Sequence, residues 1–318
     1  VVIGPGKTRF TRFPGGVHCV LYALFDAGAR LDYGLMRRQL DWVLQRGVDG
    51  IVILGLATEA GKLDSAEQRG LIQRVANWLP AECPLSVTIS GGTVAGQRGL
   101  AEFALAHRAD MLILQPPTQP GLTGTAFLDF FIGVARGLEC AVALQNAPQF
   151  LGRGFDISDI GRLAGQLDNI RVVKSETNAV ETAGLVARLQ GRVSVLGGRG
   201  GLELTDSLRA GCGGFILAPD CIDLSCRVYE RWLAGDESGA EKLYAAFSPA
   251  VGFMMQSLDH LVCYGKRVFG ARSGIPVYDR GPGLTPTPFG EAAARRWAAR
   301  LDAIAAGRGG DSEPVKPG

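Results

Sequence analysis

Short runs rich in β-branched residues and leucine recur along the chain: Val17–Leu24, Gly50–Leu54, Leu85–Ile89, Met111–Leu114, Ala141–Leu144, Ile170–Lys174, Val193–Leu196 and Gly214–Leu217. Between them lie stretches with apolar residues at helical spacing, namely Tyr33–Gln45, Ser65–Trp78, Val94–His107, Ala126–Arg136, Ile157–Leu167, Val180–Leu189 and Leu202–Ala210. Continuously apolar strands alternating with amphipathic helices predict a parallel sheet covered on both sides. Eight such units within residues 15–220 fit a closed (β/α)8 TIM barrel of the α/β class better than an open doubly wound sheet. A glycine-rich stretch, Gly197-Gly198-Arg199-Gly200-Gly201, follows the seventh run and not the first, which argues against a dinucleotide site. Beyond residue 220 the pattern turns helical only, with helices predicted over Cys221–Trp232, Gly239–Asp259 and Phe289–Ala306. The proline- and glycine-rich segment GIPVYDRGPGLTPTP separates the last two. The expected organisation is therefore an N-terminal extension (1–14), a barrel (15–220), C-terminal helices (221–307) and a polar flexible tail (308–318).

Composition narrows the function classes. The 318 residues are 47% apolar, with a net charge of only +2 and no basic run of five. Nucleic acid and anionic membrane are thus poor partners. The apolar runs are far shorter than a membrane span and the first residues have no signal-peptide core, so a soluble, cytoplasmic protein is expected. Seven scattered cysteines without a C-x-x-C spacing read as buried thiols in a reducing compartment. The three histidines match no metal-ligand spacing.

Lys174 is the residue that points to chemistry. The chain has six lysines, its basic charge being mostly arginine, and this one closes the sixth apolar run, Ile170-Arg171-Val172-Val173-Lys174. A low-dielectric barrel interior strips hydration from an ammonium and favours the free amine, which can attack a ketone to form a Schiff base. The alternative is a lysine that snorkels from a strand end to solvent.

Active sites of such barrels sit at the carboxyl ends of the strands. Those ends carry Ala57-Thr58-Glu59 after strand two, Gln115-Pro116-Pro117-Thr118 after strand four and Gln145-Asn146 after strand five. Lys174 with Glu176 ends strand six, and Gly198 and Arg199 follow strand seven. Residues i and i+2 of a strand face the same side, which puts Glu176 beside the amine as acid/base; the alternatives are a plain ion pair or a cap of the next helix. Thr58 reads as a group that holds the substrate carboxylate or relays a proton, helped by the Ala57 and Thr58 amides, or as a turn or helix-cap hydroxyl. Glu59 reads as a loop-fixing acceptor of backbone hydrogen bonds. Gln145 and Asn146 read as hydroxyl ligands or as strand-end amides serving the backbone. Arg199 reads as a clamp on a distal carboxylate or as a solvated arginine, Lys62 as surface charge and Asp220 as a helix cap.

With these residues in place, the chain resembles the class I Schiff-base aldolase and dehydratase superfamily, the dihydrodipicolinate synthase and N-acetylneuraminate lyase family. The resemblance runs from about Gly16 to Asp302 and rests on GLATEAGKLDSAEQR (Gly55–Arg69), LQNAP (Leu144–Pro148) and the lysine of VVKSET. Thr118 and Gln145 stand where that family usually has relay tyrosines, and Phe150 where an arginine grips a second carboxylate, which argues against dihydrodipicolinate synthesis. The pairing of Q-N-A-P with K-x-E-T, and Pro116-Pro117 after strand four, look more like the dehydratase branch that acts on L-2-keto-3-deoxyarabonate. The resemblance implies a lyase that holds its 2-oxo acid as a covalent imine on Lys174, with no metal or organic cofactor. It also implies a homo-oligomer, dimer or tetramer. The expected reaction is dehydration of a 2-keto-3-deoxy sugar acid to a 2-oxo semialdehyde; the alternatives are pyruvate-forming aldol cleavage and a non-catalytic barrel that binds 2-oxo acids.

Overall fold

The computed structural model describes residues 15–117 and 121–308. The expected N-terminal extension, Thr118, and the tail from residue 309 onward lie outside the described residues. Eight parallel strands close into one barrel in chain order: β1 (Gly16–Val20), β2 (Gly50–Ile53), β3 (Leu85–Ile89), β4 (Met111–Leu114), β5 (Ala141–Asn146), β6 (Ile170–Ser175), β7 (Ser194–Gly197) and β8 (Gly214–Leu217). The fold is a (β/α)8 TIM barrel with added C-terminal helices.

Closure depends on a close approach of β8 to β1. Gly16 is in register with Gly214, and a Cβ on Gly214 would fall 2.0 Å from the Gly16 carbonyl oxygen, so only glycine fits there. Helices between the strands start where short polar side chains take up orphan amides: Asp32, Thr93, Asp156 and Asn178 each accept from an amide in the first helical turn. Asp64 and Glu67 form a reciprocal capping box at the start of Ser65–Trp78.

Strand one ends earlier than its apolar run. Leu21 to Phe25 are buried but leave the sheet, and the Gln39 side chain pairs with both backbone groups of Tyr22. Past the barrel come helices Ile222–Leu233, Glu237–Met254, Lys266–Ser273 and Pro288–Ala305. The helix expected over Gly239–Asp259 breaks after Met254; Ser257 caps a new short turn, Leu258–His260, which runs into a π-helical turn at Leu261–Gly265. Helix Lys266–Ser273 has no counterpart in the sequence expectation. Among the described residues no helix is long and apolar enough to cross a membrane.

Asp220 caps no helix. It is buried after β8 and accepts a 2.7 Å hydrogen bond from the Tyr22 hydroxyl. Burial raises its pKa above the usual carboxyl value, so the folded state holds the proton more tightly than the unfolded chain does. Stability is then lost as pH climbs from the ordinary value of 3.8 to the raised native one. Asp220→Asn keeps the acceptor and removes the titration. Melting temperatures of the two proteins should coincide at acid pH and diverge in favour of Asp220→Asn as pH rises; parallel pH profiles would contradict this account.

Candidate active site

Lys174 and Glu176 sit at the carboxyl end of β6, their side chains nearly withdrawn from solvent. Lys174 lies inside the β5–β6 and β6–β7 ladders, in register with Gln145 and Leu196. The Glu176 amide donates to the Asn146 carbonyl, which carries the pairing one residue past the strand and keeps Glu176 on the face of Lys174. The Lys174 ammonium lies 2.8 Å from the Glu176 carboxylate. Gln145 Nε2 donates to the same oxygen, Glu176 Oε1, at 2.6 Å. Gln115, from the end of β4, donates in turn to Gln145 Oε1 at 3.0 Å, and Gln97 Nε2 holds the Gln115 carbonyl. A line of amides thus runs round the barrel rim from β4 to β6 and ends on the carboxylate beside the amine. The Gln149 side chain donates to the Glu176 carbonyl and fixes the backbone there.

Gly198 covers this pair. A Cβ at Gly198 would lie 2.7 Å from Glu176 Cγ and 3.4 Å from Lys174 Cε, so the loop after β7 lies directly over both side chains. Gly198→Ala should therefore displace Glu176 and slow turnover by about tenfold to a hundredfold, since misplacement by about 1 Å has that effect. Borohydride trapping on Lys174 should still occur; wild-type turnover would show that the cover does not set the carboxylate's position. Next in the loop, Gly200 has a left-handed backbone (φ 63°) whose Cβ position is taken by Met255, the first residue after Glu237–Met254.

The other expected site residues are placed differently. The Thr58 hydroxyl donates to the Leu21 carbonyl and accepts from the Gly55 amide, and the Thr58 amide closes a turn on the Gly55 carbonyl. Among the described residues the buried Ala57 N–H donates to no protein acceptor. Asn146 Oδ1 accepts from the Phe155 amide, on the strand face opposite Gln145. Arg199 pairs with Glu203 at 3.1 Å, and Glu203 also accepts from the Ala179 amide.

Two expectations on the strand-two loop are corrected. Glu59 does not serve backbone amides: its buried carboxylate takes the Lys266 ammonium on Oε1 and the Lys62 ammonium on Oε2. Lys62 is accordingly no solvated surface charge, because its amine is tied to Glu59 at 2.5 Å and to the Arg280 carbonyl at 2.9 Å. Burial pulls the pKa of Lys266 down, with the Glu59 carboxylate opposing. Among the described residues no group of three or more His, Cys, Asp or Glu could hold a metal ion.

The chain is similar to known proteins over most of its length. The chain is 24% identical over 249 residues to the probable 2-dehydro-3-deoxy-D-pentonate aldolase of Escherichia coli K12, covering 74% of this chain and 83% of that one. It is 25% identical over 247 residues to the 4-hydroxy-tetrahydrodipicolinate synthase of Methanosarcina mazei, covering 74% and 81%. In fold it is similar to an E. coli K12 prophage protein of the dihydrodipicolinic acid synthase family solved in complex with pyruvate. There the TM-score is 0.84 at 19% identity, over 91% of this chain and 98% of that one. Residues 14–258 match the dihydrodipicolinate synthetase family, and the chain belongs to it.

Proposed function

We propose that this lyase forms a Schiff base through Lys174 and dehydrates a 2-keto-3-deoxy sugar acid, such as L-2-keto-3-deoxyarabonate, to a 2-oxo semialdehyde. The observation that carries the reading is a carboxylate, Glu176, 2.8 Å from the amine and bonded by Gln145, in a chain that has no tyrosine between Tyr33 and Tyr229 to serve the ends of β2 to β7. Elimination needs one group that removes a proton from C3 and returns it to the departing C4 hydroxyl, and a buried carboxylate beside the imine suits both.

The Lys174 ammonium gives up a proton to water, and the free amine adds to the C2 ketone. The carbinolamine loses its hydroxyl as water, taking the proton back, which leaves an iminium. That cation acidifies C3; the Glu176 carboxylate takes a C3 proton and the electron pair forms an enamine. The protonated Glu176 then donates to the C4 hydroxyl, water departs, and the electrons return to give a C3–C4 unsaturated iminium. Hydrolysis frees Lys174, and tautomerisation moves the unsaturation to the terminal carbon as an aldehyde. The Ala57 N–H, which has no protein acceptor among the described residues, supports a role in holding the substrate's C1 carboxylate. No step calls for a metal or an organic cofactor. The 2-oxo acid is the expected small-molecule partner, and family membership supports a homo-oligomer.

The second reading, cleavage to pyruvate and an aldehyde through the same imine, is favoured by the similarity to the E. coli pentonate aldolase. It requires a base on the C4 hydroxyl. Mass analysis of the products from a panel of 2-keto-3-deoxy sugar acids separates the two: a product one water lighter than its substrate supports dehydration. Pyruvate as the sole product overturns dehydration in favour of the aldolase. Absence of any borohydride-trapped adduct sinks both and leaves a binding barrel.

A further inference from the structure

A cavity of about 290 Å³ opens beside the amide line, walled by Gly55, Ser90 and Gln115 from the ends of β2, β3 and β4, by Lys62, and by Leu258 and Asp259 from the C-terminal helices. In a ring of eight strands β2 stands four places from β6, so this cavity lies across the mouth from Lys174. Gln115 joins it to the reacting pair, two hydrogen bonds from Glu176. Its far end is marked by Lys62 and Asp259, which also line a second cavity of about 270 Å³ toward the Asp279–Pro286 loop.

The charges at that far end can be balanced one by one. Glu59 is neutralised by the buried Lys266, one oxygen to one ammonium, and Lys62 binds the other oxygen. An ammonium has three N–H donors; Lys62 uses two, on Glu59 and on the Arg280 carbonyl, and keeps one. Asp259 is a pure acceptor on an exposed position, and among the described residues its side chain has no hydrogen-bond or ion-pair partner. The pair therefore offers one donor and one acceptor with no excess positive charge. Arg199, the other candidate for a distal clamp, is committed to Glu203. The Lys266–Glu59 ion pair also fixes how the C-terminal turn carrying Asp259 sits against the loop carrying Lys62.

We infer that Lys62 and Asp259 are specificity-determining residues that read the terminal hydroxyl of an uncharged polyol tail, Lys62 donating to its oxygen and Asp259 accepting its proton. The enzyme accordingly selects 2-keto-3-deoxy acids with a single carboxylate and rejects the diacids of equal length, whose second carboxylate would meet Asp259. This rests on the imine-forming reading above.

The test compares kcat/KM for three substrates of equal chain length, ending in a hydroxymethyl, a methyl or a carboxylate group, in the wild type, Asp259→Lys and Lys62→Met. Wild type should favour the hydroxymethyl substrate over each of the others by about tenfold to a hundredfold, the worth of a hydrogen bond to a charged group. Lys62→Met should collapse the hydroxymethyl-to-methyl ratio, a comparison independent of how much of the protein is active. Asp259→Lys, a change at an exposed position, should invert the preference toward the diacid. A wild type that prefers the diacid, or ratios unmoved by both variants, overturns the inference while leaving the Schiff base intact. Failure to trap even pyruvate on wild-type Lys174 overturns the reading it rests on and the inference with it.

Discussion

Turnover of Lys174→Met is expected to fall by about 10⁴-fold or more, because the variant loses the covalent route and not a single hydrogen bond. The trapped adduct should vanish with it. Methionine keeps most of the stem's volume, so the loss cannot be blamed on a cavity. A second consequence follows from burial. Glu176 would be left in the barrel mouth with Gln145 as a neutral partner and no counter-ion. Removing one member of a buried ion pair costs about 3–5 kcal/mol, chiefly through the charge left behind. Adding Glu176→Gln to Lys174→Met should therefore restore much of the lost stability in urea while leaving the protein inactive. If Lys174→Met unfolds at the wild-type urea concentration, Glu176 is better solvated than its burial implies. If it still forms the adduct, the amine is elsewhere.

Strand positions were legible because continuously apolar segments between helical stretches have few other uses in a chain of this length. The first shows the limit of that signal: an apolar run reports burial, and Leu21–Leu24 are buried outside the strand, with Gln39 pairing both backbone groups of Tyr22. Lys174, Glu176 and Gln145 were legible as strand ends, since two-residue periodicity puts them on one face. The bond from Gln115 to Gln145 was not, because it depends on barrel register. Thr58 looked chemical from its loop, yet its hydroxyl closes a turn against Leu21, a contact 37 residues away. Lys266 carries no local signal for a related reason. Its segment, KRVFGARS, has little apolar face, and its meaning comes from Glu59, 207 positions earlier. Lys62 looked like surface charge because sequence cannot show that two lysines converge on one carboxylate. Local pattern finds elements; ion pairs between distant loops have no local pattern.

Glu176→Gln should separate imine formation from elimination. The amide is isosteric and its oxygen can still accept from Lys174, so the site keeps its shape while losing a group that carries a proton. Intact-mass analysis after borohydride reduction should show the substrate adduct on Lys174, and steady-state turnover should fall about 10²- to 10⁴-fold, the usual contribution of a positioned acid or base. The accumulating species should be the imine that still bears the C4 hydroxyl, one water heavier than the eliminated imine. That mass is diagnostic. If Glu176 only anchored the lysine, its amide would serve nearly as well, turnover would change little, and the trapped species would match the wild type. The comparison with Gly198→Ala sharpens the point, because that change moves the carboxylate without removing it. A graded loss, smaller for displacement than for removal and with adduct formed in both, is what a proton-transferring carboxylate requires. Equal, large losses with no adduct in either would mean that Glu176 acts earlier, in freeing the amine for attack.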